Sequence, residues 1–394
     1  MLALLLFLAD PLHARIDRLL DDPKASPPAA DAEFLRRAWL DLAGTLPDPR
    51  TIRAFLDSKD AGKRAKVIDA LLADPRHPRR LADLLNVALM ERFGDDPAWD
   101  RWLLDSATKN RPWDAMASDI LGGTTPGASF WLAKRLANYG QNPVDHPALA
   151  RDVGRLFLGK DLRCAQCHDH LFIPEYKQAD FQGLFAFVKD AHLADAKTSL
   201  VGEKPATAAL EFNSVFGSKA KKRTGPRVPG LKELDFPVPK KGDEWLVPPS
   251  GGKKKSHGVL KRSPLAALAQ QVSRSRDFAR NMANRVWAAL LGRGLVHPLD
   301  LHHDGNPPSH PALLDLLAEE VAKSKHDLRF LLREIALTKA YARSSELPEG
   351  AKPEPASFRT ALEKRLSAEQ LHAATIQAMG AKPTAASRQK FLKA

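Results

Sequence analysis

Cysteine, tyrosine and methionine are scarce in this sequence of 394 residues, which contains only two Cys, three Tyr and five Met. Because no other cysteine exists, all thiol chemistry of the chain depends on the pair Cys164 and Cys167. Few tyrosines argue against an aromatic-rich β architecture, and thirty prolines indicate many loop breaks. Hydrophobic residues make up 44% and charged residues 27% of the chain, as in globular proteins with a substantial core.

Long hydrophobic runs are also absent. Leu2 to Ala9 form an apolar run of eight residues, whereas a helix that spans a bilayer needs about twenty. The run resembles the hydrophobic region of a secretory leader, although no basic residues precede it and Phe7 lies at −3 if cleavage follows Ala9. We therefore predict a leader-like segment at 1–13, no transmembrane span, and an exported protein in the periplasm or at the cell surface. The alternative is an N-terminal helical turn packed on the body.

Positive charge is concentrated in one segment. The net charge is +13, and residues 195–262 contain fifteen Lys or Arg against seven Asp or Glu, a net charge of +8. With its prolines and the basic runs at Lys219–Arg223 and Gly251–Lys255, the segment 195–259 is predicted to be an irregular insert with one or two short strands, for example at Leu231–Pro239. The charge indicates a solvated loop or a patch for acidic polysaccharide. Nucleic-acid binding is disfavoured because no helix-turn-helix or finger motif is present.

Helical periodicity dominates on both sides of this insert. Short loops with Pro or Gly join amphipathic stretches, which predicts a mainly α fold with two helical domains, at 14–194 and 260–394. Ser263 is predicted to cap a helix that starts at the following proline. Ser309 is predicted to cap a later helix, and a last helix is predicted at 357–379.

The two cysteines belong to the stretch RCAQCHDH, in which His168 follows Cys167 directly and His170 lies two residues further on. In the pattern C-x-x-C-H, two thiols one helical turn apart each form a thioether with one porphyrin, and the adjacent imidazole binds the iron from the proximal side. Covalent haem attachment also requires export, with which the leader-like N-terminus agrees.

Three other interpretations of this motif stay open. Zinc could use both thiols with His168 or His170, but a closed zinc site needs a fourth ligand from elsewhere in the chain. A redox-active thiol pair would lack its usual βαβ context. The structural alternative is a local disulfide between Cys164 and Cys167, or two buried thiols with both histidines capping a helix.

A haem at this motif needs a sixth iron ligand or leaves that position open. No methionine follows the motif until Met282, and His170 is too close to His168 to reach the opposite face of the same haem. His192, His310 and Met282 are therefore the candidates. An open sixth position would favour ligand binding or peroxide chemistry over simple electron transfer, so enzymatic activity stays an open question at this point.

A second stretch rich in His and Asp, HPLDLHHDGNPPSHP, begins at His297 and contains His310. A metal or acid-base site could be built from it. The favoured interpretation is a turn between two helices, in which Asp and Asn side chains bond the backbone of the loop.

Several motifs in order give the chain a family resemblance. RCAQCHDH after VGRLFLGK, the earlier LDLAGTLPDPRTIRAFL and NRPWD, and the later NRVWAALLGRGLV followed by NPPSHPALLDLLAEE resemble the planctomycete cytochrome-c-type proteins. These join a PSCyt-type domain of unknown function to a C-terminal PSD-type domain of unknown function. The resemblance extends from about Ile16 to Met379 and implies an exported protein.

Residue by residue, the resemblance covers the motif and part of the second stretch. The residues that match as haem or metal ligands are Cys164, Cys167, His168 and His170, and those that match without a known role are Asn306, Ser309 and His310. The chain departs from the family pattern at Leu171, Ile173 and Leu301, which argues against catalysis at those positions.

We therefore predict an exported cytochrome-c-like protein that binds haem through the motif and serves electron transfer or redox chemistry with a redox partner protein. The alternative is a non-haem extracytoplasmic structural or interaction protein. In that case the Cys/His cluster is a structural or zinc site, and the basic insert holds an anionic partner such as acidic polysaccharide.

Overall fold

The computed structural model of the protein describes residues 10–137, 145–195, 197–205, 209–216, 220–250, 257–347, 350, 352, 354–381 and 384–393. Most of the leader-like segment (1–9), Lys219 and the run Gly251–Lys255 lie outside the described residues. No helix in the described ranges has the length and hydropathy that a membrane crossing requires.

Helices account for most of the described structure. The α-helices are α1 (Leu12–Leu19), α2 (Asp31–Leu42), α3 (Pro49–Asp57), α4 (Lys63–Ala73), α5 (His77–Met90), α6 (Pro97–Thr108), α7 (Trp113–Gly122), α8 (Phe130–Leu136), α9 (His146–Leu158), α10 (Gln178–Val188), α11 (Pro264–Arg274), α12 (Arg276–Leu291), α13 (Pro311–Lys323), α14 (Leu328–Ala336), α15 (Lys339–Ala342), α16 (Ala368–Ala378) and α17 (Ala385–Lys393). Short 3₁₀ helices lie at Cys164–Gln166 and Pro355–Ser357. The predicted mainly α fold is confirmed.

The strands form antiparallel pairs, and all of them lie between residues 191 and 260. They are β1 (Ala191–Asp195) with β2 (Leu200–Glu203), β3 (Leu210–Phe212) with β4 (Lys222–Thr224), and β5 (Trp245–Val247) with β6 (Val259–Leu260). The prediction of strands at Leu231–Pro239 was wrong, because that segment forms none. Pro237 and Pro239 have no backbone N–H to donate to a ladder, which disfavours pairing there.

The chain folds into two compact units that are not consecutive in sequence. Unit 1 contains the residues up to Asp83, Ala283–Leu295 and the residues from Pro308 onward; unit 2 contains Leu84–Met282 and Val296–Pro307. Each unit therefore includes residues from both sides of the basic insert. Spatial packing thus groups the residues differently from the linear division at 194 and 260.

Two of the three predicted helix boundaries needed correction. Ser263 caps α11 as predicted, since its side chain accepts a hydrogen bond from the backbone N–H of Ala266. Ser309 does not cap α13, because His310 occupies the N-cap position and makes no side-chain cap bond. The last predicted helix, at 357–379, begins only at Ala368, where Ser367 forms a capping box with Gln370.

Unit 2 has an aromatic core built from four helices. Trp113 at the start of α7 stacks on Phe157 of α9 and on Phe278 of α12, with ring centroids 6.0 and 5.9 Å apart. Trp131 of α8 meets Phe157 edge-on at 5.4 Å. All four rings are buried, and stacked or edge-on pairs of this kind contribute about 1 kcal/mol each beyond their buried area.

Unit 1 contains a buried charge cluster at Asp41 of α2. Lys364 Nζ donates to both carboxylate oxygens of Asp41, at 2.6 and 2.7 Å, and to the carbonyls of Ala289 and Leu290 at the end of α12. The Tyr341 hydroxyl donates to the same carboxylate at 2.9 Å. Lys364 thus satisfies helix-terminal carbonyls and fixes its own segment in a non-helical conformation, which accounts for the late start of α16.

A left-handed turn ends α9 just before the Cys/His motif. Gly159 has φ +70°, and the N–H of Lys160 bonds back to the carbonyl of Gly154 at 3.0 Å. The carbonyl of Gly159 accepts from the N–H of His302 at 3.0 Å, and Asp161 N–H donates to the carbonyl of Asp300 at 2.8 Å. The turn therefore joins the chain before the motif to the loop 296–307 of the same unit.

We expect Gly159→Ala to destabilise the protein by about 2 kcal/mol, because a side chain strains the left-handed conformation and its Cβ would lie 2.7 Å from Cδ2 of His302. Urea denaturation followed by circular dichroism measures the loss. Gly122→Ala is the matched control, since no atom lies within 4 Å of its Cβ position, and we expect it to be neutral or stabilising by less than about 1 kcal/mol. Equal urea midpoints for Gly159→Ala and Gly122→Ala would contradict this account of the turn.

Candidate functional site

The two cysteines lie on one short 3₁₀ turn. The N–H of Cys167 bonds to the carbonyl of Cys164 at 3.4 Å, and Ala165 between them is fully buried while both cysteines are exposed and free. Helix α10 stabilises this turn, since Nε2 of Gln182 donates a hydrogen bond to the carbonyl of Gln166 at 3.1 Å. Both forms of the structural alternative, a local disulfide and two buried thiols, therefore differ from the observed arrangement.

His168 is held through one ring nitrogen only. Its Nδ1 lies 2.7 Å from the carbonyl oxygen of Asp169, and because a carbonyl can only accept, Nδ1 carries the proton. Nε2 consequently holds the free lone pair, and nothing in the described part of the chain hydrogen-bonds to it. This is the arrangement found for metal-ligating histidines, whose second nitrogen usually donates to a carbonyl or carboxylate.

His170 has the opposite arrangement. Its Nδ1 accepts the backbone N–H groups of Phe172 and Ile173 at 3.1 and 3.0 Å, so in the neutral ring the proton is on Nε2. Burial lowers the pKa of His170, and His168 and His303 lower it further, which favours this neutral form. Such bonding favours a structural role in the loop over metal coordination.

Tyr176 anchors the loop that follows the motif. Its carbonyl accepts the N–H of His170 at 2.9 Å, and its buried hydroxyl donates to the carbonyl of His302 at 3.1 Å. The Tyr176 ring also meets those of His170 and His303 edge-on, at 6.0 and 5.8 Å. Burial raises the pKa of the Tyr176 hydroxyl, which therefore stays a hydrogen-bond donor.

Exposed apolar side chains flank the motif on two sides. Leu171 and Phe172 are 65% and 87% exposed, and Val215 and Phe216 are 65% and 58% exposed. The Val215 N–H bonds to the carbonyl of Cys167 at 3.0 Å, and the Phe216 ring lies 4.7 Å from that of His168. We call these four residues the apolar rim. Exposed apolar clusters of this kind mark surfaces that bind another molecule.

The other candidate iron ligands belong to other elements of the chain. His192 is in β1 opposite Gly202 of β2, and its buried Nδ1 makes no hydrogen bond. Met282 is buried in α12. His310 belongs to unit 1, where it precedes α13 with its ring 5.8 Å from that of Phe358.

No group of three or more His, Cys, Asp or Glu side chains in the described ranges is arranged to hold a metal ion. The zinc alternative therefore has no ligand set there. In the second His-rich stretch, Asn306 Nδ2 donates to the carbonyl of Leu301 at 2.8 Å, as predicted for a turn.

Sequence reasoning missed the part of the site that is distant in the chain. Val215 and Phe216 come from the basic insert, where no periodicity indicated their position next to the motif. The proximity of Phe172 to the motif could be predicted from the sequence, since Phe172 follows His170 by two residues. Its side-chain exposure could be read only from the folded loop.

Two protein-family models match the chain. Residues 15–192 match the family model PSCyt2, described as a protein of unknown function (DUF1549). Residues 261–391 match PSD1, also described as a protein of unknown function (DUF1553). The chain therefore belongs to the proteins in which a PSCyt2 domain is followed by a PSD1 domain. Neither the curated proteins nor the solved structures include a significant match.

We expect His168 and His170 to show opposite neutral tautomers, with the proton on Nδ1 of His168 and on Nε2 of His170, because one ring faces a carbonyl and the other faces two N–H groups. Long-range ¹H–¹⁵N correlation spectra at neutral pH distinguish the two forms. His303→Gln assigns one neighbouring signal and serves as the control. The same tautomer for both rings would contradict the described hydrogen bonds.

Proposed function

We propose that the protein binds c-type haem covalently through Cys164 and Cys167, with His168 as the proximal ligand of the iron. The observation that supports this proposal most strongly is the state of the three side chains. Both thiols are free and exposed on one turn, and the adjacent imidazole has one nitrogen fixed by a carbonyl and the other available. His170, in contrast, is committed to its own loop.

Attachment would consume only the two thiols and the two vinyl groups of the haem. Each thiol of Cys164 and Cys167 would add across one vinyl C=C bond, with the sulfur on the inner carbon and the thiol hydrogen on the outer carbon. No oxidant, reductant or leaving group takes part. When bound, the haem supplies a one-electron redox centre.

The apolar rim supports the same proposal. Phe216 packs against His168, and Val215 is bonded to the backbone of Cys167, so an apolar group attached at these cysteines would cover surface that otherwise faces water. Burying exposed apolar area contributes about 25 cal/mol per Å². Residues Leu171 and Phe172 on the other side add to this surface.

The cellular setting follows from the chemistry. Because c-type haem is attached after export, we infer that the protein acts in the periplasm or at the cell surface and exchanges electrons with a redox partner protein. The family match gives no activity, so the choice between electron transfer and another redox function rests on the test of haem attachment and on subsequent turnover measurements.

We expect the chain, expressed with a secretory leader in a host that attaches c-type haem, to gain the mass of one haem. Cys164→Ser or Cys167→Ser should leave a single thioether, which shifts the pyridine haemochrome band to longer wavelength, and the double variant should lose covalent haem. Arg163→Gln is the control, because its side chain is exposed in the same segment and, among the described residues, makes only a 3.9 Å ion pair with Asp161. We expect it to attach haem like the wild type.

An unmodified wild-type mass, in a host that loads a reference cytochrome, overturns the haem proposal. A stoichiometric zinc signal in that preparation would favour the zinc alternative instead. Retention of covalent haem by the double cysteine variant would also contradict the assignment of these two residues.

A second candidate function is binding of acidic polysaccharide by the basic insert. The observation that favours it is the hairpin of β3 and β4, on which Lys221, Lys222 and Arg223 are all exposed. In the described part of the hairpin, the one ion pair is between Lys221 and Glu211, at 3.1 Å. Adjacent exposed cations attract sulfate and carboxylate groups of a polyanion, an attraction that salt screens.

We expect the double variant Lys222→Gln/Arg223→Gln to elute from heparin at lower salt than the wild type. The matched control is Arg53→Gln/Lys59→Gln, which removes two exposed charges from unit 1. If both double variants elute from heparin at the same salt concentration, retention on heparin reflects net charge alone. The hairpin would then be a solvated loop.

A further inference from the structure

A polar cavity of about 430 Å³ lies in unit 1, away from the Cys/His motif in sequence. Its walls come from α2, the start of α5, α12 and the segment 362–366. Five cationic side chains line it, against the carboxylates of Glu33, Asp41 and Glu363. The cations are Arg36, Arg37, Arg80, Lys364 and Arg365. The excess of cations indicates a site for an anion.

Two of these cations are already committed to the protein. Lys364 is saturated by Asp41 and by two carbonyls of α12. Arg37 donates to the carbonyls of Tyr341 and Arg343, at 2.5 and 2.9 Å, and to Glu33 at 2.5 Å. Asp41 is likewise occupied, because both of its oxygens accept from Lys364. These bonds offset the charge that would otherwise repel an anion.

Arg80 is different, because only its Nε is used. Nε donates to the carbonyl of Asp41 at 3.1 Å, and among the described residues neither Nη1 nor Nη2 of Arg80 makes a hydrogen bond or ion pair. Burial lowers the pKa of Arg80, although Asp41 and Asp83 act in the opposite direction. Arg80 is half-buried, so the N–H groups on its two terminal nitrogens can donate to a ligand that enters the cavity.

The stem of Arg80 passes close to the backbone of Gly44. Gly44 has φ +74°, and a Cβ there would lie 3.2 Å from Cδ of Arg80. The close approach of this turn, together with the bond from Nε, fixes the guanidinium at the cavity wall. The two terminal nitrogens of Arg80, Nη1 and Nη2, are therefore held in a defined position at the cavity wall.

We infer that the cavity binds a small molecule through one oxyanion group, a carboxylate, sulfate or phosphate, held by Nη1 and Nη2 of Arg80. The planar guanidinium fork matches the two oxygens of such a group, which a lysine ammonium does not. The exposed Arg36 and Arg365 at the rim of the cavity attract the anion. The volume is within the range of small-ligand pockets, about 300–1,000 Å³, and fits an acid of monosaccharide size.

Isothermal titration calorimetry with sodium sulfate, sodium phosphate, glucuronate and neutral glucose tests this inference. We expect one or more of the anions to bind the wild type and glucose not to bind. Arg80→Lys keeps the charge and removes the fork, so we expect binding about ten-fold weaker or absent. Arg18→Gln is the control, because this exposed arginine does not line the cavity; its affinity should equal that of the wild type.

A second variant keeps the test decisive if Arg80→Lys fails to fold, as judged by circular dichroism. Arg36→Gln/Arg365→Gln changes only exposed positions, and we expect about three-fold weaker anion binding from the loss of attraction. Preference for sulfate or phosphate would identify an inorganic anion or its ester as the ligand, and preference for glucuronate a sugar acid; both outcomes support the oxyanion site.

Three results would overturn it. The first is no binding of any of the anions to the wild type at millimolar concentration. The second is unchanged affinity in a folded Arg80→Lys variant or, where that variant does not fold, in Arg36→Gln/Arg365→Gln. The third is binding of glucose as tight as that of the anions. None of these measurements depends on haem, so failure of this inference leaves the proposed function untouched.

Discussion

The left-handed turn at Gly159 is the constraint on which the Cys/His segment depends. An α-helix that continued past Leu158 would carry the following residues away from the loop 296–307, whereas the turn places the carbonyl of Gly159 against the N–H of His302. On the C-terminal side of the motif, the Tyr176 hydroxyl joins the chain to the same loop by donating to the carbonyl of His302. Between these two anchors the side chain of Gln182 also donates to the carbonyl of Gln166, and the exposed thiols are therefore presented from a fixed turn.

Two histidines separated by one residue make opposite hydrogen bonds because their backbone surroundings differ. A carbonyl opposite Nδ1 of His168 leaves Nε2 without a hydrogen bond among the described residues, while two N–H groups opposite Nδ1 of His170 make that ring part of the loop. Residue type alone would treat the two rings as equivalent candidates. The apolar rim then gives the thiol side of the turn a surface suited to a flat apolar group.

Unit 1 uses buried charge in a different way. Asp41 accepts hydrogen bonds from Lys364 and Tyr341, which come from distant parts of the chain. Lys364 also donates to carbonyls at the end of α12. Removing one partner of such a buried network leaves an uncompensated charge, which is more costly than the pair itself is stabilising. Arg80 lies beside this network with unused donors, so the polar interior that holds unit 1 together also provides a candidate binding site.

Helical periodicity, capping and the C-x-x-C-H spacing act between residues close in the chain. For this reason the mainly α fold, the cap at Ser263 and the composition of the Cys/His turn could be predicted from the sequence. The sequence could not determine the grouping into two units, the late start of α16 or the position of Phe216 beside His168. These depend on long-range contacts: Lys364 reaches Asp41, and a residue of the insert reaches the motif. Local patterns specify which groups are available, and only tertiary packing decided which nitrogen, thiol or guanidinium remains open for a ligand.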